Sequence, residues 1–215
     1  MTEPDFLHIT RTAYDFIAVR YAELFANELD GYPLDRAMLA AFADVVRADG
    51  AGPVADVGCG PGHVTALLDS LGLTLYGVDL SAEMIALARA AHPQLRFDVG
   101  SMTALALEDG ELGGILARYS IIHTPPERLP EVFAEFHRVL APGGSLLLAF
   151  QVHDKPSELA EAFDHKVALA YRWSPDRVAD LLRETGLMEV ARLIRQADED
   201  DERGFEQAHL LARKA

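Results

Sequence analysis

Ten residues, Val54-Ala55-Asp56-Val57-Gly58-Cys59-Gly60-Pro61-Gly62-His63, join a short apolar run to three glycines at alternate positions. Glycine adopts backbone angles closed to other residues and keeps no Cβ between the main chain and a ligand. At the end of a first strand, such a turn marks the ligand crevice of an open α/β sheet. A dinucleotide fingerprint places its third glycine where this chain has His63. Here the third glycine comes one position early. The same turn also serves any tight strand-to-helix connection.

The next apolar run, Leu73 to Val78, ends in Asp79. A carboxylate at the tip of a second strand, about twenty residues beyond a glycine turn, is placed to accept hydrogen bonds from ribose hydroxyls. Its alternative use is as a helix N-cap, but Ser81 supplies that cap and leaves Asp79 free. Cys59, the single cysteine, has no partner that would activate a thiolate. No spacing of His, Cys and Asp suggests a metal site.

Several elements must position these groups. Helical spacing of Phe6, Tyr14, Ile17, Ala18, Tyr21 and Phe25 predicts a first helix, and a second runs from about Leu34 to Arg47. From Pro53 onward, short apolar runs alternate with amphipathic stretches, which predicts βαβ units and a parallel sheet. Strands are expected at Val54–Val57, Leu73–Val78, Leu95–Val99, Gly114–Tyr119 and Ser145–Gln151. Helices are expected at about His63–Leu71, Ala82–Ala91 and Glu127–Leu140. Beyond Gln151 the spacing predicts a helical excursion over 157–171, then a helix opened by Ser174-Pro175-Asp176. Two last strands, about Leu187–Arg195 and Gln207–Arg213, flank the acidic stretch Asp198 to Glu202, expected as a solvated loop. So short a connection makes them antiparallel.

The 215 residues fit one domain: a helical cover over 1–52 on an α/β core over 53–215. Half the residues are apolar and a quarter charged, the profile of a soluble globular protein. A formal charge of −15 opposes binding to nucleic acid or anionic lipid. No cationic leader and no apolar run of membrane-spanning length is present, so a cytoplasmic protein is expected.

Four segments, VADVGCGPG, YGVDLSAEMIALAR, ILARYSIIHTPP and FHRVLAPGGSLLLAF, together resemble class I S-adenosylmethionine-dependent methyltransferases, especially the small bacterial branch acting on metabolites. They span about Val54 to Gln151, nearly half the chain, in that family's order. The resemblance implies a doubly wound, mostly parallel seven-stranded sheet with an antiparallel last strand. It implies S-adenosyl-L-methionine as cofactor. Gly58, Gly60 and Gly62 would line its amino-acid end, Asp56 would order the loop, and Asp79 would hold the ribose.

Leu80 and Met84 would pack near the adenine. At the third strand the family often has Gly-Asp, whereas this chain has Gly100-Ser101-Met102, so a hydroxyl replaces the carboxylate. Arg118 and Tyr119 fall where the fourth strand ends over the methionine portion. Tyr14 and Tyr21 match a Y-D-x-x-A-x-x-Y pattern whose helix lies over the cofactor, or they pack on the sheet. His123 would face the substrate, as a general base or by shaping the pocket, and His153 is a second candidate. Phe150, Tyr171 and Trp173 would wall an acceptor pocket, or belong to the core.

The implied activity is methyl transfer to O, N or C of a small-molecule acceptor. Alternatives are a cofactor-binding protein with a regulatory or non-methylating role, and a nicotinamide-dependent oxidoreductase, which the misplaced third glycine and the terminal strand pair disfavour. No motif specifies the acceptor or an oligomeric state.

Overall fold

The computed structural model describes residues 4–50, 52–153, 155, 157–197 and 204–215. The acidic stretch Asp198 to Glu202 lies outside them. Two helices come first, α1 (Asp5–Phe25) and α2 (Pro33–Asp49), joined by a 3₁₀ turn at Glu28–Gly31. Strands and helices then alternate: β1 (Val54–Val57), α3 (His63–Ser70), β2 (Leu75–Asp79), α4 (Ala82–Ala91), β3 (Arg96–Val99), β4 (Leu112–Arg118), α5 (Leu129–Val139) and β5 (Leu140–Gln151). The remainder is β6 (Ala160–Asp164), β7 (Leu169–Trp173), α6 (Pro175–Glu184), β8 (Leu187–Arg195) and β9 (Gln207–Lys214).

Seven strands form one sheet in the order β3-β2-β1-β4-β5-β9-β8. The pairs from β3 through to β5 are parallel, and β9 runs antiparallel to both β5 and β8. The chain moves outward from β1 to β3, then returns to the other side of β1 at β4. That reversal opens a crevice at the carboxyl ends of β1 and β4.

Burial on both faces explains why the central strands are almost wholly apolar. On one face, Val132, Phe133, Phe136 and Val139 of α5 pack with Leu182 of α6 against Ile115, Leu146 and Leu148. On the other, Leu39, Phe42 and Val46 of α2 and Leu68 of α3 cover Val54, Leu116 and Leu147. The helix α1 is held over the sheet edge by Asp15, whose Oδ1 accepts from Ser81 Oγ at 2.5 Å and from the Glu83 amide at 3.3 Å. A carboxylate at the N-terminus of α4 also suits the helix dipole there.

The helical excursion expected over 157–171 is corrected: β6 and β7 form a two-stranded antiparallel hairpin, separate from the main sheet. Alanine, leucine and glutamate in this segment favour helix, but tertiary burial wins. Extended backbone puts Ala170 and Trp173 wholly out of solvent and bridges Trp173 to Val152 after β5. It also sets Glu161 directly opposite Arg172, with which it forms an ion pair. Lys166, at φ 69°, turns the hairpin, its amide bonded to Asp164 Oδ1 at 2.9 Å.

Candidate active site

The turn after β1 takes the backbone through positive φ at Gly58 (80°), Gly60 (54°) and Gly62 (88°). Their surroundings differ. A Cβ at Gly58 would lie 2.2 Å from Ser120 Cβ, and one at Gly62 would lie 2.9 Å from the Phe97 ring. A Cβ at Gly60 would meet nothing within 4 Å. Gly58 thus packs β1 against the chain leaving β4, and Gly62 packs α3 against β3 and α4. Of the three, Gly60 alone has open space where a Cβ would stand, and Gly62 lines neither of the two cavities at the turn.

Asp79, at the end of β2, locks this turn. Its Oδ2 accepts the Gly60 amide and its Oδ1 the Ser81 amide, both at 2.8 Å. Ser81 Oγ caps α4 by accepting from the Met84 amide at 3.1 Å, as expected, but Asp79 is not otherwise free. Each of its oxygens still keeps a second acceptor position. Burial raises its pKa, against the backbone bonds that lower it.

Asp56, 2% exposed, accepts from Thr65 Oγ1 at 2.6 Å and so ties β1 to α3. Burial pushes its carboxyl from the usual 3.8 up to about 6, despite the Thr65 bond. A carboxyl whose folded pKa is raised binds more protons folded than unfolded, so stability falls as pH rises from about 4 to about 6. Two pKa units are worth about 3 kcal/mol. Asp56→Asn is expected to remove most of that fall, read as denaturant midpoints at several pH values. An unchanged pH profile would show that the buried carboxyl does not titrate there.

Two cavities meet at the turn. The first, about 850 Å³ with the open solvent at its mouth included, is lined by Gly60, Asp79, Leu80, Met84, Ser101 and Met102, with α1 residues from Phe6 to Tyr21 forming its cover. Ser101 Oγ is engaged with Thr103 Oγ1 at 2.8 Å. The second, about 930 Å³, opens between the end of α1, the glycine turn and the carboxyl end of β5, and Asp56 contributes to its wall. Tyr21, Gly58, Gly60, Arg118 and Tyr119 line both.

Arg118, at the tip of β4, is 9% exposed and bonds Glu28 through two nitrogens at 3.1 and 3.2 Å, with Asp35 at 3.5 Å. Asp35, buried on α2, also pairs with Arg195 of β8 at 3.2 Å. Two guanidiniums and two carboxylates thus share one cluster. Tyr119 follows in the left-handed region at φ 51°, with the Arg118 guanidinium 4.7 Å over its ring. A non-glycine residue in that conformation is held by its surroundings at some cost, a feature that concentrates at functional sites.

Tyr14 OH lies 2.9 Å from His123 Nε2, and His123 Nδ1 lies 2.8 Å from the Leu169 carbonyl. A carbonyl only accepts, so Nδ1 carries the proton and Nε2 accepts from Tyr14. Burial lowers the His123 pKa and raises that of Tyr14 well above 10.0, so both groups are neutral at neutral pH.

Tyr14, Tyr119 and His123 thus come together at the first cavity, whereas Phe150, His153, Tyr171 and Trp173 line neither cavity. Phe150 and Trp173 are 0% exposed in the core, and Tyr171 packs on Trp173. The buried His153 accepts the Lys155 amide at its Nδ1. Side chains alternate across a strand, so Phe150 turns to the core while Gln151 turns to the second cavity. Sequence reasoning missed Gln151, Gln207, Glu28 and Asp35. Polar residues ending the apolar run of β5 and opening that of β9 were the available signal for the first two. Cys59 is buried, its thiol directed to the Gly60 carbonyl at 3.6 Å, and burial pushes its pKa well up, so it stays protonated. Among the described residues no group of three His, Cys, Asp or Glu side chains could hold a metal ion, and no helix is long and apolar enough to cross a membrane.

Residues 54–144 match the family model described as a methyltransferase domain. The chain is 36% identical over 135 residues to trans-aconitate 2-methyltransferase of Variovorax paradoxus (strain S110), covering 60% of this chain and 50% of that protein. The chain spans about half the length of the curated relatives it matches, 41% to 56% of each. The fold is similar to magnesium protoporphyrin IX methyltransferase from Synechocystis PCC 6803, solved with bound S-adenosylmethionine, at TM-score 0.72, 17% identity and full coverage of both chains. It is also similar to the [4+2]-cyclase SpnF, at TM-score 0.75 and 16% identity, over 100% of this chain and 98% of that one.

Proposed function

We propose, because this chain belongs through residues 54–144 to the class I S-adenosylmethionine-dependent methyltransferase family, that it transfers a methyl group from that cofactor to O, N or C of a small-molecule acceptor. The observation that carries the proposal is the Asp79 lock. It holds the Gly60 amide beside an open face and presents unused carboxylate positions to a ribose. When bound, the cofactor supplies a sulfonium methyl group open to in-line displacement.

The chain's own residues bind and orient. Asp79 holds the ribose hydroxyls; Leu80, Met84, Ser101 and Met102 wall the adenine; Tyr21, Gly58 and Arg118 border the amino-acid end, with Asp56 fixing β1 to α3 behind it. The cover formed by α1 keeps the cleft poor in water, which strengthens each polar contact inside. A net charge of −15 supports a small acceptor in place of nucleic acid, and the single buried thiol suits a reducing cytoplasm.

Titration with S-adenosylhomocysteine, followed by a mass-spectrometric screen of metabolite extracts for products heavier by one methylene, tests the function. The screen is decisive because this fold also carries a cyclase. Tight cofactor binding with no methylated product across the screen would move the chain to a non-methylating role.

A further inference from the structure

The second cavity has a polar floor made by residues other than those assigned to the cofactor. Gln151 on β5 and Gln207 on β9 are register partners in an antiparallel pair, so their side chains emerge next to each other on one face of the sheet. Gln207 is 7% exposed, and its Nε2 donates to the Phe205 carbonyl at 3.0 Å. That bond fixes its amide and leaves Oε1 buried without a partner. Gln151 Oε1 is likewise buried and unpartnered. Two adjacent bare acceptors are costly in a folded protein unless something donates to them.

The rest of the wall narrows what that donor can be. Phe25, Tyr32 and Tyr119 contribute flat apolar surface. The two guanidiniums, Arg118 and Arg195, already pair with Glu28 and Asp35, with Arg118 Nε buried and without an acceptor, so an incoming carboxylate competes with those acids in a buried setting. An uncharged ligand avoids that penalty.

We propose that the second cavity is the acceptor's site and that it takes an uncharged, planar molecule carrying at least two hydroxyl or amino groups, which donate to Gln151 and Gln207. This rests on the methyltransferase assignment above, since the cavity shares Gly58, Gly60 and Arg118 with the first and so abuts the cofactor's end of it. Two donor groups anchored at the glutamines leave another ring position turned toward the shared wall. The site selects against polycarboxylates, unlike the relative that acts on trans-aconitate.

The test is calorimetric titration of the full chain with S-adenosylhomocysteine, then of the saturated complex with resorcinol and with 3,5-dihydroxybenzoate. Resorcinol is expected to bind in the millimolar range in the presence of S-adenosylhomocysteine, and its carboxylated counterpart about tenfold more weakly. Gln207→Leu removes one hydrogen bond and is expected to weaken resorcinol about tenfold while S-adenosylhomocysteine affinity stays within about twofold. Gln151→Leu gives the same readout if Gln207→Leu fails to fold. The proposal is overturned if S-adenosylhomocysteine excludes resorcinol, which would assign the cavity to the cofactor. It is equally overturned if the benzoate binds as well, if both variants bind like wild type, or if resorcinol does not bind. Failure of S-adenosylhomocysteine itself, seen in the first titration, overturns instead the assignment on which this rests.

Discussion

Asp79→Ala is expected to weaken S-adenosylhomocysteine binding about 100-fold. Two hydrogen bonds from ribose hydroxyls to a carboxylate are each worth about 1.5 kcal/mol or more, and 1.4 kcal/mol is a factor of ten. The variant also releases the Gly60 and Ser81 amides, so the turn loses the clamp that aims it at the ligand. Asparagine is no substitute here, because its NH₂ group faces one of those two backbone donors. Calorimetry gives the affinity, and a melt beside it separates lost binding from lost fold. An affinity within about threefold of wild type, with the fold intact, would sink the ribose assignment.

The glycine turn yields a second large effect, and its sign differs by position. In Gly58→Ala a side chain must occupy φ 80° and overlap Ser120 Cβ, which forces β1 and the exit from β4 apart. Left-handed backbone costs about 1–2 kcal/mol and overpacking about 1–3 more, so the melting temperature should fall by about 10 °C. Adding Ser120→Gly removes the overlap but not the backbone cost, and should restore roughly half. Gly60→Ala meets no atom and so carries only the left-handed backbone cost of about 1–2 kcal/mol, yet its methyl group fills the space a ligand must enter. It should therefore melt above Gly58→Ala and bind S-adenosylhomocysteine poorly. Equal melting temperatures for the two alanine variants would contradict this division of labour.

Much of the sheet was legible because the signals were local. The run from Val54 to His63 announces strand, turn and helix within ten residues, and the stripe on α5 is a plain 3.6-residue repeat. The antiparallel end followed from a connection too short for a crossover. Context decided what was misread. Glu161 and Arg172 favour a hairpin only once Trp173 has a core to enter, so helix propensity misled over 157–171. Phe150 looked like a pocket wall because aromatic rings attract that role, yet the strand's period sends Gln151 there instead. Arg118 was legible as a site residue, but its partners Glu28 and Asp35 lie about 90 and 83 residues away, and no spacing reports a contact at that range. Gly62 belonged to a recognisable turn, and only packing against Phe97 separates its part from that of Gly60.

The position of β9 bears on how the chain assembles. This strand is made after every other strand of the sheet, yet it sits between β5 and β8 and pairs with both along nearly its whole length. Until it emerges from the ribosome, β5 has an open edge and β8 has no neighbour in the sheet. Open edges of this kind are templates for pairing with other chains. The sheet therefore closes from its middle and last. Gln207, at the start of that closing strand, enters the second cavity at the same moment, so the proposed acceptor floor is completed only when the fold itself is.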